Sequence, residues 1–208
     1  MSRKDEAYEY LRNKIVINDF HPNQVLSENK LTDELNMSRT PVREALKELE
    51  SDGLVSLSGR ETIVAPLTEQ DVQEVYELRS LLESYALRQS INLIPEERLA
   101  EFEKAFNDAY HAGDWDAYLK VDTAFHALIT HLAGHKRLQQ FLKILGSQTE
   151  RTRHVNSNNP NRMERSINEH MEIIKWIRLR NLDEAEKALA YHLQQVYESV
   201  RSYLNYVN

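Results

Sequence analysis

The sequence predicts a mainly α protein in two parts, an N-terminal head of three short helices closed by a small β-hairpin, then an all-α six-helix bundle. Three observations predict it. Apolar residues recur at helical spacing over most of the 208 residues. The alternating, β-branched pattern of strands is confined to one stretch, LVSLSGRETIVAPL at 54–67. From Thr68 onward the pattern is helical throughout, so Pro66 marks a boundary between a head of residues 1–66 and a bundle of residues 67–208.

In the head, Ala7, Tyr8, Leu11 and Ile15 fall on one helical face, and that helix ends near Asn18. The segment NDFHPNQVL then supplies turn residues, since Asn tolerates positive φ better than most side chains. Ser27 is placed to cap a second helix, with Glu28 in its first turn and Leu31 and Leu35 on its apolar face. A third helix starts at Ser38 or Thr40. Either choice leaves Pro41 in the first turn, where its missing N–H costs little, and the helix stops before Gly53. Beyond it, the alternating stretch turns at Ser58-Gly59 into a two-stranded hairpin. Three helices and a hairpin in this order make a winged helix-turn-helix.

The bundle divides at Ile94-Pro95, near Gly113, at Gly134 and across NSNNPN (156–161). Six helices follow, over roughly 68–93, 95–111, 114–133, 135–154, 161–180 and 182–206. Tyr76, Tyr85 and Trp176 read as core residues of this bundle.

Composition narrows the function. There is no cysteine, so a transition metal could be held only by His and carboxylates. There is no apolar run of membrane-spanning length, and MSRKDEAYEYLRNK has no apolar core for a signal peptide, so a cytoplasmic protein without a membrane partner is expected. The net charge of −7 argues against indiscriminate binding to polyanions. Residues 1–66 carry nine Lys/Arg against twelve Asp/Glu, so any nucleic-acid contact there needs a locally sorted patch.

Winding residues 38–52 as a helix produces such a patch. Arg39, Arg43 and Lys47 form a cationic stripe at i, i+4 and i+8, beside an apolar stripe of Val42, Ala45, Leu46 and Leu49, while Glu44 and Glu48 lie off both. A stripe alone could be a solvated face. At the end of a helix-turn-helix, with Ser38, Arg39 and Thr40 at the helix N-terminus, it has the chemistry to meet phosphates and guanine edges in a major groove.

LSENKLTDELNMSRTPVREALKELESDGLV resembles the winged helix-turn-helix of the GntR family of bacterial transcription regulators, whose pattern runs L-x-E-x-x-L-A-x-x-L-x-[VM]-S-R-T-P-V-R-E-A-L-x-x-L-x-x-x-G-L. The resemblance implies binding to double-stranded operator DNA. Arg39 and Arg43 would read bases, Ser38, Thr40 and Pro41 would hold or abut the backbone, and Asn29 would be a further phosphate contact, with Lys47 continuing the cationic stripe. Arg60 stands where the family's wing enters the minor groove. The sequence departs from the pattern in placing Asn18 and Asn23 where the family has Gly, and Glu61 in place of the wing glycine, where it would repel phosphate.

In the bundle, KVDTAFHALITHLAG sets Asp122 and His126 four residues apart on one helical face, and His170 and His192 lie on two further helices among apolar neighbours. These are either hydrogen-bonded core histidines or metal ligands. The six-helix domain, opening on YELRSLLESYALRQS, is similar to the FadR C-terminal (FCD) ligand-binding domain of the FadR subgroup of GntR regulators. That resemblance implies a divalent metal held by Asp122, His126, His170 and His192, and an O/N set without sulfur suits zinc, nickel or manganese. Arg79 matches the arginine of that domain's opening helix and would clamp a small carboxylate effector, its alternative being an intrahelical pair with Glu83. The expected protein is a homodimeric, ligand-responsive regulator, repressing rather than activating. A metal sensor is the first alternative and a metal-dependent hydrolase the second, the latter lacking an evident general acid or base because Glu169 points off the face of His170.

Overall fold

The described residues, 1–58, 61–156 and 160–207, of the computed structural model form nine helices and a three-stranded sheet with their connecting turns. The chain packs as two units, residues 1–71 with 144–154 and residues 72–143 with 155–208.

The first unit begins at a reciprocal cap. Ser2 N–H donates to Asp5 Oδ2 at 2.9 Å and Asp5 N–H donates to Ser2 Oγ at 3.1 Å, starting helix α1 (Arg3–Val16), which buries Ala7, Leu11 and Ile15. Both Asn18 and Asn23 adopt left-handed backbone at φ 65°, so the turn forms with asparagine at positions that would suit glycine. Strand β1 (Val25–Leu26), helix α2 (Glu28–Leu35), helix α3 (Arg39–Ser51) and strands β2 (Val55–Ser58) and β3 (Glu61–Val64) follow. The sheet order is β1-β3-β2, antiparallel, with Val25 opposite Ile63 and Val55 opposite Val64. The sequence reading placed Val25 and Leu26 in the turn. Two residues carry no readable period, and what makes them a strand is pairing with β3, far along the chain.

The predicted apolar stripe of α3, Val42, Ala45, Leu46 and Leu49, is buried with Leu11, Ile15 and Val64 in one core. Residues 144–154 belong to this unit although they follow the head by some eighty positions in sequence. Gln148 Nε2 donates to the carbonyls of Asp52 (3.1 Å) and Gly53 (2.7 Å), and Arg151 Nη2 to that of Ala65 (2.7 Å). Arg12 donates to Ser147 Oγ at 3.0 Å and to Glu150 Oε2 at 2.7 Å. The hairpin tip with Gly59 and Arg60, and residues 157–159 of the predicted break, lie outside the described residues.

The remaining helices are α4 (Glu69–Ser90), α5 (Glu96–Ala112), α6 (Trp115–Leu132), α7 (Lys136–Asn156), α8 (Pro160–Arg178) and α9 (Leu182–Val207). Each starts within a residue of the predicted position. Helix α4 stops earlier than predicted, at Ser90, and the carbonyls of Ile91 and Ile94 beyond its end accept hydrogen bonds from the Arg180 guanidinium. Asp114 caps α6 by accepting from Ala117 N–H at 2.9 Å. In the second unit α8 packs on α9, and α5 on α6 and α8, around fully buried Phe106, Phe125, Ile173 and Leu189. Tyr76 is buried as predicted. Tyr85 is 45% exposed, a correction to its reading as core.

Candidate functional site

The first candidate surface is the exposed side of α3. Its backbone N-cap is Ser38, whose side chain makes no capping hydrogen bond, leaving the hydroxyl unspent on the helix itself. Arg39, Thr40, Arg43 and Lys47 are exposed on α3, Asn29 is exposed on α2, and Pro41 is half-buried against the head. Glu48 is drawn off the cationic stripe by Lys4 of α1, Nζ to Oε2 2.8 Å. Arg43 is paired with Glu28, the first residue of α2, through Nε to Oε1 (3.1 Å) and Nη2 to Oε2 (2.8 Å). The structure thus gathers Asn29, Ser38, Arg39, Thr40, Arg43 and Lys47 on one pair of helices. Arg60 is outside the described residues.

The second candidate site lies inside the bundle. Asp122 and His126 project from α6, His170 from α8 and His192 from α9, all buried, and one ligand atom of each lies within 4.8 Å of every other. Asp122 Oδ1 is the common point, 3.1 Å from His170 Nε2, 3.7 Å from His126 Nε2 and 3.9 Å from His192 Nε2.

An outer ring of acceptors fixes the three imidazoles. His126 Nδ1 lies 2.5 Å from Glu83 Oε2, His170 Nδ1 lies 2.7 Å from the Ser166 carbonyl, and His192 Nδ1 lies 2.8 Å from Glu169 Oε2. A carbonyl or carboxylate can only accept, so the proton of each ring belongs on Nδ1 and the lone pair on Nε2, toward Asp122. The two glutamates are themselves held by arginines. Arg79 Nε donates to Glu83 Oε1 at 2.7 Å, and Arg162 grips Glu169 with two bonds of 2.8 Å. Phe106 stacks on His170 with ring centroids 4.4 Å apart.

The electrostatics agree with neutral rings at His126 and His192. Burial pushes His126 below the ordinary imidazole value, outweighing the attraction of Glu83, and pushes His192 well below it, with the neighbouring His170 and His126 adding to the effect. Burial alone would raise the Glu83 carboxyl, but Arg79 and then His126 outweigh it and hold it at about 2.

His126 Nε2 and His170 Nε2 are buried without a hydrogen-bond partner. A buried acceptor left unsatisfied is costly, and two of them facing one carboxylate oxygen is the arrangement expected of donors poised for a cation. The residues present therefore fit a divalent ion.

The structure brings together all four predicted ligands. It places Arg79 behind them, buried on Glu83, in the intrahelical pairing that competes with a carboxylate clamp. Sequence reasoning missed Glu83 as the partner of His126, and Arg162 and Ser166 altogether. Glu169 points away from His170, as the sequence predicts, but what it meets there is His192 on the next helix, a role that spacing along α8 does not reveal. Arg162 and Glu169 stand seven residues apart on one face of α8, a spacing that was readable but had no assigned role.

Residues 74–195 match the model of the FCD domain, and residues 3–64 match that of bacterial regulatory proteins of the gntR family. The HTH-type transcriptional repressor RspR of Escherichia coli (strain K12) is 27% identical over 200 residues, covering 94% of this chain and 88% of that protein. The solved structure of E. coli McbR/YncC superposes with a TM-score of 0.80 at 21% identity and covers 100% of both chains. The metal-free FCD domain of TM0439 superposes with a TM-score of 0.62 at 21% identity, over 68% of this chain and 99% of that one. At these identities the structural likenesses speak for the fold.

Proposed function

We propose, from the premise that this chain belongs to the GntR family of bacterial regulatory proteins and carries an FCD domain, that it is a dimeric repressor whose hold on operator DNA is set by a small organic acid bound at a divalent metal. That it is a transcription regulator and not an enzyme follows from the family. Repression is carried over from RspR, which bears that name. In this reading residues 1–66 bind DNA, residues 67–208 bind the effector and dimerise, and the protein works in the cytoplasm. No helix among the described residues is long and apolar enough to cross a membrane.

One observation carries the metal reading, the three imidazoles whose Nδ1 atoms are occupied and whose Nε2 atoms converge on Asp122. Asp122, His126, His170 and His192 would hold the ion. When bound, zinc, nickel or manganese supplies open coordination positions that take a carboxylate directly. The chain's own residues do the rest. Glu83 and Glu169 keep the Nε2 lone pairs aimed inward, Arg79 and Arg162 keep those glutamates in place, and the buried surroundings exclude water. With its Nε on Glu83, Arg79 would meet the effector through its Nη groups.

Dimerisation is supported by α4, which exposes Leu78, Leu81 and Tyr85 at i, i+3 and i+7 as one apolar stripe, with Leu81 70% exposed. A two-fold pair presents two copies of α3 to half-sites about 34 Å apart on one DNA face. The acid regulates by preferring one placement of the heads over another, since only differential affinity shifts an equilibrium.

A second reading, a sensor in which the ion is the signal, is favoured by a specific observation. Both arginines beside the site already hold carboxylates of the chain itself, which leaves the ion as the component most plainly provided for.

The test is elemental analysis of the purified protein beside His170→Ala, thermal shift against mono-, di- and tricarboxylates, and operator binding by anisotropy. Stoichiometric metal lost in the variant, with an acid that stabilises only the wild type and alters operator affinity, supports the proposal. Operator binding that follows metal at every acid concentration supports the sensor. Metal retained in full by His170→Ala overturns the ligand set.

A further inference from the structure

The pairing of Arg43 with Glu28 crosses from α3 to α2 and uses one particular edge of the guanidinium. Nε and Nη2 face the carboxylate, at 3.1 Å and 2.8 Å. A planar guanidinium has a second two-donor edge, formed by Nη1 and the outer N–H of Nη2, and this edge faces away from Glu28. Guanine O6 and N7 accept two parallel N–H bonds from one such edge. Glu28 and a guanine can therefore hold the same Arg43 together.

Exposure separates the partners. The Arg43 side chain is 57% exposed and that of Glu28 is 32%, so the carboxylate sits nearer the head and the arginine reaches outward from it. Glu28 is anchored as the first residue of α2, where the helix N-terminus favours an anion. The hydrogen bonds from Arg43 hold the Glu28 carboxyl below the usual carboxylate range.

We infer that Glu28 is a positioning residue for base reading, clamping the side edge of Arg43 so that its outer edge is presented to a guanine in a fixed direction. This rests on the reading of α3 as the recognition helix and goes beyond it by naming what makes that helix selective. An arginine on a flexible stem can swing to a phosphate as readily as to a base, and a phosphate contact carries no sequence information. Glu28 removes that freedom. Its own negative charge near the DNA lowers affinity for every sequence alike. The net effect is weaker general binding and sharper discrimination, a division that neither a solvated ion pair nor a purely structural residue produces.

The alternative is that Glu28 masks Arg43 and must be displaced by DNA. The two make opposite predictions for Glu28→Gln, which keeps the side-chain shape and one acceptor while removing the charge. The experiment selects preferred duplexes from a random pool with the wild-type chain. It then measures wild type, Glu28→Gln, Glu28→Ala and Arg43→Ala on the selected site, on every single-base change of it, on 7-deazaguanine versions lacking the N7 acceptor, and on an unrelated duplex. Thermal melting confirms that each variant is folded.

Clamping predicts that both Glu28 variants bind the unrelated duplex as tightly as wild type or more so. It further predicts that discrimination at one guanine in each half-site falls by about tenfold, the size of a single well-made base contact. The 7-deaza penalty falls at that same position, and Arg43→Ala loses discrimination there too. Tighter binding of the selected site by Glu28→Gln with undiminished discrimination would establish the mask and overturn the clamp. Discrimination unchanged in Glu28→Gln and Glu28→Ala but lost in Arg43→Ala overturns the clamp alone. A base profile unchanged in Arg43→Ala overturns the recognition-helix reading, and the clamp with it.

Discussion

At the scale of the residue, what distinguishes His126 and His170 from ordinary core histidines is which nitrogen is occupied. A core imidazole satisfies both nitrogens. Here Nδ1 is satisfied, and in His126 and His170 the inward Nε2 is not. Glu169→Gln is expected to weaken metal affinity by about 10- to 100-fold without removing any direct ligand, because an amide is a poorer acceptor for His192 and a poorer partner for Arg162. Competition against a chromophoric chelator measures this, and an affinity equal to wild type would show that Glu169 does not orient His192. In the head, Leu49 is fully buried on α3. Leu49→Ala should cost about 2–5 kcal/mol of stability in urea unfolding, and a loss well under 1 kcal/mol would mean that the core can collapse around the gap.

At the scale of the element, α3, the proposed recognition helix, is defined at its end as well as along its face. Gly53 follows the C-cap of α3 at φ 70°, and a Cβ there would come 2.9 Å from Gln148 Nε2, whose bonds to the Asp52 and Gly53 carbonyls close the helix. Gly53→Ala therefore meets both left-handed backbone strain, about 1–2 kcal/mol, and a side chain that has to move. The expected result is lower stability of the head, together with a weakened Gln148 contact seen as faster amide exchange near the end of α3. Stability within about 0.5 kcal/mol of wild type would mean that the backbone relaxes to a permitted conformation. The asparagines at 18 and 23 show the other side of the same chemistry, because Asn tolerates left-handed backbone better than other side chains and the turn is retained.

At the scale of the whole molecule, a bound ion should appear as stability. Saturation at a hundred times the dissociation constant contributes about 2.7 kcal/mol, and at about 2–4 °C per kcal/mol for a chain of this size chelation should lower the melting temperature by roughly 5–10 °C. The His170→Ala protein should melt no higher than the chelated wild type and ignore both chelator and added metal, and a wild type indifferent to both chelator and metal would count against the site. Oligomeric state is the second property at this scale. Leu81→Asp places a charge in the exposed stripe of α4 and should convert a dimer to monomers in sedimentation velocity, with operator binding losing its two-site cooperativity. A variant that sediments as the wild type does would move the dimer contact elsewhere.

The helices were legible because amphipathic period, caps and breakers are local properties. Six bundle helices start where Ile94-Pro95, Gly113 and Gly134 and their neighbours predict, and Val42, Ala45, Leu46 and Leu49 turn inward as their spacing requires. Asp122 and His126 were legible as a pair because four residues on one helix define a common face. What needed the folded chain was every relation between elements. Val25 and Leu26 become a strand only by pairing with β3, and Gln148 serves α3 from residues that no local pattern connects to it. Glu169 takes its role from His192 on α9, and Glu28 from Arg43 on the following helix. Local geometry follows from the torsions and side chains of a few consecutive residues, whereas a hydrogen bond across helices depends on how two surfaces pack, which no short window of sequence contains.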